Sequence, residues 1–150
     1  WLMDGFPPLQ PSSEAEVEQG YLAFEPVTLR IRKIVRAGET RCVLTVKGAG
    51  TLQRTEVETE IAPEQYEALS GLLLAPSAHK KYRTYRLPGG EILECSLVDE
   101  GEPGSFFYAE VEFDTPEAAP AFAPPPYLGR EVTEEPGWTM AAYCRKKAGM

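Results

Sequence analysis

Apolar and polar residues alternate along most of the chain, and the alternation restarts after each short turn. Successive side chains of a β-strand point to opposite faces, so a period of two predicts strands. The segments are "EVEQGYLAF" (16–24), "VTLRIRKIV" (27–35), "TRCVLTVKG" (40–48), "LQRTEVETEI" (52–61), "HKKYRTYRL" (79–87), "EILECSLVD" (91–99) and "FFYAEVEFD" (106–114). Turns carrying Gly38, "GAG" and "PGG" separate several of them, which reads as an antiparallel meander. Two segments break the period. In "APEQYEALSGLLL" (62–74) Tyr66, Leu69 and Leu73 recur at helical spacing behind Pro63 and Glu64, which predicts one amphipathic helix. The end, "EVTEEPGWTMAAYCRKK" (131–147), predicts a second helix capped at Thr133, with basic residues in its last turn. The Pro/Ala-rich stretch 115–129 has room for a short helix at most.

The charges inside this alternation are sorted by strand. In "RTEVETEI" Arg54, Glu56, Glu58 and Glu60 share one face, and Thr55, Val57, Thr59 and Ile61 the other. Arg30 and Arg32 form a basic pair, Lys47 stands near its strand end, and Lys81 and Arg83 form another basic pair. Glu94, Glu110 and Glu112 supply acidic positions. A solvated outer face explains any one such strand. It gives no reason for R-x-R to gather on some strands and E-x-E on others.

Turning the charged face inward in a small closed antiparallel barrel makes sense of the sorting. So many charges buried without partners would cost many kcal/mol, so such a lumen has to be wet and filled. A linear polyanion carrying divalent cations suits it. Arg and Lys hold phosphate oxygens, and paired carboxylates hold Mg²⁺ or Mn²⁺. The expected fold class is α+β with β dominant, a closed or nearly closed antiparallel barrel with two or three flanking helices. The alternative is an open sheet with helices on one face.

The totals narrow the setting. At 150 residues, 43% hydrophobic and 25% charged, the chain suits one domain over 1–150. No apolar run approaches the roughly 20 residues that span a bilayer, and "WLMDGFPPLQP" has no secretory pattern. Cys42, Cys95 and Cys144 are odd in number and widely spaced, against a disulfide framework or zinc site and in favour of a reducing, cytoplasmic setting. A net charge of −8 argues against nonspecific nucleic-acid binding. His79, the single histidine, has no nucleophile partner in sequence, and no Ser/His or Cys/His arrangement points to covalent catalysis.

"QGYL", "LRIRK", "LTVKG", "RTEVETEI", "KKYR", "AEVEF" and "YLGREVT" occur in the order found in the CYTH superfamily, the triphosphate tunnel metalloenzymes. The resemblance runs from about Gln19 to Thr133 and is greatest to the short bacterial members that hydrolyse inorganic triphosphate. It implies an eight-stranded antiparallel barrel forming a tunnel. It implies that Arg30, Arg32, Lys47, Arg54, Lys81 and Arg83 contact polyphosphate, with Arg54 and Lys81 also serving the chemistry. It further implies that Glu110 and Glu112, with Glu56 and Glu58, ligate Mg²⁺ or Mn²⁺ or order the attacking water. Glu94 would add a tunnel carboxylate, and Glu131 is a weaker candidate.

There are departures. Trp1-Leu2-Met3 resembles the end of the family's first strand, which places its E-x-E-x-K before residue 1 and favours a truncated sequence. Ser96 stands where close relatives often have aspartate, and Met140 where short members often have asparagine. The expected activity is metal-dependent hydrolysis of inorganic triphosphate by a monomer or homodimer. The alternatives are a catalytically silent polyphosphate-binding module, a thiamine triphosphatase or a class IV adenylyl cyclase. Trp138 and Tyr143 could stack on a base, but at helical spacing they more often pack.

Overall fold

The computed structural model describes residues 1–49 and 54–150. Its strands are β1 (Leu2–Met3), β2 (Ser13–Ala23), β3 (Thr28–Arg36), β4 (Glu39–Lys47), β5 (Glu56–Ile61), β6 (Ala78–Arg86), β7 (Ile92–Val98) and β8 (Phe106–Val111). The helices are α1 (Pro63–Ser70), α2 (Ala118–Ala121) and α3 (Met140–Lys147). The chain is α+β with β dominant, an eight-stranded antiparallel sheet in the order β1-β8-β7-β6-β2-β3-β4-β5. That hydrogen-bonded order ends at β1 and β5. Every strand expected from the alternation is present. The expected strand 52–61 begins late, at Glu56, with Arg54 and Thr55 ahead of it and 52 and 53 outside the described residues.

Two compact units divide the chain, Trp1–Ala15 with Lys80–Glu134 and Glu16–His79 with Glu135–Met150. In the second unit Ile31, Cys42 and Tyr66 form a core, with Leu22, Leu44, Ile61, Leu69 and Leu73 packed against it. Ile31 pairs with Leu44 across β3 and β4, and Cys42 pairs with Ile61 across β4 and β5. This is the apolar parity of the strands, and α1 covers it. The helix stops at Ser70, short of the expected Leu74. The reason is a close approach: a Cβ on Gly20 would stand 2.6 Å from Leu73 Cδ1. Leu73 packs there by leaving the helix, and the Leu74 N–H donates to the Tyr21 carbonyl at 3.0 Å.

The last helix also starts later than expected. Thr139, not Thr133, is its cap, accepting from the Ala142 N–H at 3.1 Å. Pro136–Trp138 makes a separate 3₁₀ turn ahead of it. The Thr133 hydroxyl instead donates to Glu131 at 3.0 Å. Arg145, Lys146 and Lys147 close the helix where its carbonyls favour cations.

In the first unit the core is Tyr85, Leu87, Leu93, Cys95, Ala109 and Leu128. Trp1, Met3, Phe6, Val111, Phe122 and Tyr127 pack against it. The short β1 is gripped from two sides, by β8 and by the segment before Glu131. The Leu2 N–H donates to the Arg130 carbonyl at 2.8 Å, and the Gly129 N–H donates to the Leu2 carbonyl at 2.9 Å. A Cβ on Gly129 would collide with that same backbone carbonyl. Gly129→Ala is therefore expected to cost about 1–3 kcal/mol, as overpacking against rigid atoms does. Urea unfolding of the two proteins measures it.

Candidate active site on two charged strand faces

In the second unit the strand register fixes which charges share a face. Tyr21 lies opposite Arg30, Arg30 opposite Thr45, and Thr45 opposite Glu58. On one side of this row, Gln19 lies opposite Arg32. On the other, Lys47 lies opposite both Thr28 and Glu56. This face is turned away from α1, yet it is not a solvated exterior. Gln19 and Thr45 are 0% exposed and Tyr21 only 3%. The Arg30 Nε, Gln19 Oε1 and Thr45 Oγ1 atoms are buried without hydrogen-bond partners. Orphaned buried polar atoms are uncommon in folded proteins, and several on one face ask for a polar ligand or ordered water.

The cations of this face also answer its carboxylates. Arg32 Nη2 stands 3.2 Å from Glu58 Oε2, and Lys47 Nζ stands 3.7 Å from Glu56 Oε1. Glu60 reaches outward to Arg41 at 3.6 Å. Burial pushes the Tyr21 phenol up to about 12, opposed by the charges of Arg30 and Arg32. The raised value favours the neutral phenol in the folded chain. Its contribution to stability is present below the ordinary tyrosine value of about 10. That contribution is lost as pH rises toward about 12. Melting temperature should therefore fall between those limits, and Tyr21→Phe should make the fall shallower in a thermal-melt series.

In the first unit one face carries Lys80, Tyr82, Thr84, Glu94, Ser96, Tyr108 and Glu110, since Tyr82 pairs with Ser96, Ser96 with Tyr108, Thr84 with Glu94 and Glu94 with Glu110. The Tyr82 hydroxyl donates to Glu94 Oε1 at 2.7 Å. Lys80, only 8% exposed, donates to the Tyr108 hydroxyl at 3.3 Å. Glu112 lies just beyond the end of β8 and is exposed.

Lys81 and Arg83 are corrected by this register. They pair with Leu97 and Cys95, on the opposite face from Glu94 and Glu110. Lys81 makes an ion pair with Glu100, and Arg83 one with Glu14 at 2.9 Å. The Arg83 guanidinium also lies 4.1 Å over the Phe6 ring. Neither residue joins the acidic face. Arg54 is exposed and precedes β5, so it has no place in the ladder. Arg30, Arg32, Lys47, Glu56 and Glu58 are brought together, and so are Glu94 and Glu110. Gln19, Tyr21, Thr45, Lys80 and Tyr82 were missed. Thr45 shares strand parity with Lys47, which was found; Gln19 and Tyr21 lie on β2, where no charge was singled out, and Lys80 and Tyr82 have the parity passed over in "KKYR".

Among the described residues, no three of His, Cys, Asp and Glu stand close enough to hold a metal by themselves. Also among them, no helix is long and apolar enough to cross a membrane. His79 is exposed on β6, and Met140 opens α3.

The chain is thus a β-dominant protein with a half-buried basic strand face in its second unit and opposed carboxylates on a strand face of its first. No family model matches the chain. It is 34% identical over 119 residues to the inorganic triphosphatase of Nitrosomonas europaea, covering 79% of this chain and 77% of that one. The crystal structure of the inorganic triphosphatase NE1496 matches with a TM-score of 0.67 at 27% identity, over 95% of this chain and 89% of that one. HpAC1 from Hippeastrum, described as having a dominant triphosphatase activity, shares the fold with a TM-score of 0.58 at 18% identity, over 74% of this chain and 71% of that one. The chain belongs to the family of the Nitrosomonas inorganic triphosphatase, within the CYTH superfamily its motifs resemble.

Proposed function

We propose that the protein hydrolyses inorganic triphosphate to pyrophosphate and phosphate. The observation that carries this reading is the half-buried basic face of the second unit, where the buried atoms Arg30 Nε and Thr45 Oγ1 lack partners. Both can donate to phosphate oxygens, and the guanidinium groups of Arg30 and Arg32 can do so as charge-assisted pairs. Kinship with an inorganic triphosphatase supports that substrate over others.

In the reaction, water attacks a terminal phosphorus and the P–O bond to the pyrophosphate leaving group breaks. The water's proton passes to a carboxylate or to solvent. Such chemistry needs positioning and charge stabilisation rather than a covalent nucleophile. Arg30, Arg32 and Lys47 hold the chain and take up charge on the leaving oxygen. Glu56 and Glu58, which pair with Lys47 and Arg32, would hold the attacking water once phosphate has drawn those cations away.

Magnesium or manganese belongs to the same reading. Glu94 and Glu110 lie directly opposite each other, an all-oxygen pair with like charges that repel unless a cation or proton intervenes. Two carboxylates, with water and phosphate oxygens completing the shell, fit Mg²⁺, which is seldom held by protein ligands alone. A cation bound there would neutralise the charge of these two carboxylates and could polarise a bound water. Glu112, just beyond the end of β8, does not stand close enough to make a three-carboxylate set with them. The closed tunnel is likewise part of the proposal and rests on the family resemblance. An experimental structure with the β1 and β5 edges unpaired would remove it. The buried free thiols Cys42, Cys95 and Cys144 are in keeping with a cytoplasmic setting.

Phosphate release from triphosphate, ATP and thiamine triphosphate, assayed side by side with Mg²⁺ or Mn²⁺, tests this. Triphosphate should be turned over fastest. One observation favours a second reading. On the parity of β6 that faces with Glu94, Lys80 is followed by Tyr82 and Thr84, which are not cations. A silent binding module would then show calorimetric binding of triphosphate without release of phosphate from any of the three.

A further inference from the structure

We propose that Tyr82 is a positioning residue that holds Glu94 ready for the divalent cation, an inference that rests on the metal reading above. Glu94 lies opposite Glu110 in the β7–β8 ladder. In the cation-free protein their repulsion would turn the flexible Glu94 side chain away. The Tyr82 hydroxyl opposes that by donating to Glu94 Oε1 at 2.7 Å, across a diagonal of β6 and β7. A hydrogen bond from a neutral donor to a carboxylate is among the stronger kinds. It fixes one oxygen and would leave the other for a cation.

The backbone beneath the pair is well anchored. Ser96, opposite Tyr82, is 2% exposed. Leu93 and Cys95, which flank Glu94 on the strand's other face, belong to the core. Tyr82 therefore costs nothing in cation charge balance while preorganising one ligand, the usual work of an outer-shell hydrogen bond.

Mn²⁺ binding, followed by the loss of its electron paramagnetic resonance signal, separates the possibilities in wild type, Tyr82→Phe and Glu94→Gln. Turnover of triphosphate against Mg²⁺ concentration is measured in parallel. Tyr82→Phe should weaken Mn²⁺ binding about tenfold. It should raise the half-saturating Mg²⁺ concentration by a like factor, with turnover at saturating Mg²⁺ within about twofold of wild type. A merely structural tyrosine would lower the melting temperature and leave both cation titrations where they were. Mn²⁺ binding that Glu94→Gln weakens and Tyr82→Phe leaves unchanged would overturn this inference alone. Wild type that binds no Mn²⁺, or Glu94→Gln that binds like wild type, would overturn the metal reading and this inference with it.

Discussion

Arg30→Ala should lower kcat/KM for triphosphate by roughly thirty- to a thousand-fold, the equivalent of about 2–4 kcal/mol of lost transition-state stabilisation. Arg30 sits in the centre of the buried row, between Tyr21 and Thr45, and its Nε is without a partner. A guanidinium kept there in the free protein contributes little to folding, because its desolvation is only partly repaid. Its removal should therefore change the unfolding free energy by no more than about 1 kcal/mol in either direction. Activity and stability part company, as expected of a group placed for a ligand. Lys81→Ala and Arg83→Ala provide the contrast. Both sit on the other strand face in exposed ion pairs, which are worth at most about 1 kcal/mol, so turnover should stay within about twofold of wild type. Steady-state kinetics on the three variants checks this. Equal losses at Arg30 and Arg83 would refute the assignment of faces.

Glu110→Gln should move stability and activity in opposite directions. The carboxylates of Glu94 and Glu110 are cross-strand neighbours, and like charges in that relation destabilise by up to about 1 kcal/mol. The amide removes the repulsion, so melting without metal should rise slightly. Turnover at limiting Mg²⁺ should fall about a hundredfold, and excess Mg²⁺ should recover part of it. The stabilisation that Mg²⁺ gives the wild type should shrink in the variant as well, since it follows affinity for the folded state. Differential scanning fluorimetry with and without Mg²⁺, beside the kinetics, measures all three. A variant with wild-type metal response would take Glu110 out of the ligand set.

The period of two made the strands legible because both faces carry a strong signal. Ile31 and Cys42 must meet the core, and Arg30, Arg32 and Lys47 cannot join them. The same contrast gave the basic face of the second unit and the opposition of Glu94 and Glu110. It failed in "HKKYRTYRL", where Lys80, Lys81 and Arg83 put basic residues on both parities. Tyr85 and Leu87 share parity with Lys81 and Arg83 and belong to the core, so the end of the strand held the clue. Gln19 and Thr45 were passed over because a neutral polar residue carries no sign to sort by. Only the packing shows that they are enclosed. The helix ends were misplaced for local reasons, Leu73 leaving α1 for Gly20 and Pro136 delaying α3.

The pairs Arg32–Glu58 and Lys47–Glu56 have a consequence for how the enzyme empties itself. With its own counter-ions 3.2 and 3.7 Å away, the basic face is not a standing trap for anions. An incoming anion must outcompete two tethered carboxylates whose effective concentration is high. Triphosphate, with several charges spread along one chain, can displace both together. Chloride cannot, and each product carries fewer charges than the whole. Cleavage therefore turns one strong competitor into two weaker ones, and Glu56 and Glu58 close back onto Lys47 and Arg32 as the fragments leave. The same glutamates that lower the affinity for substrate would keep pyrophosphate from stalling the cycle.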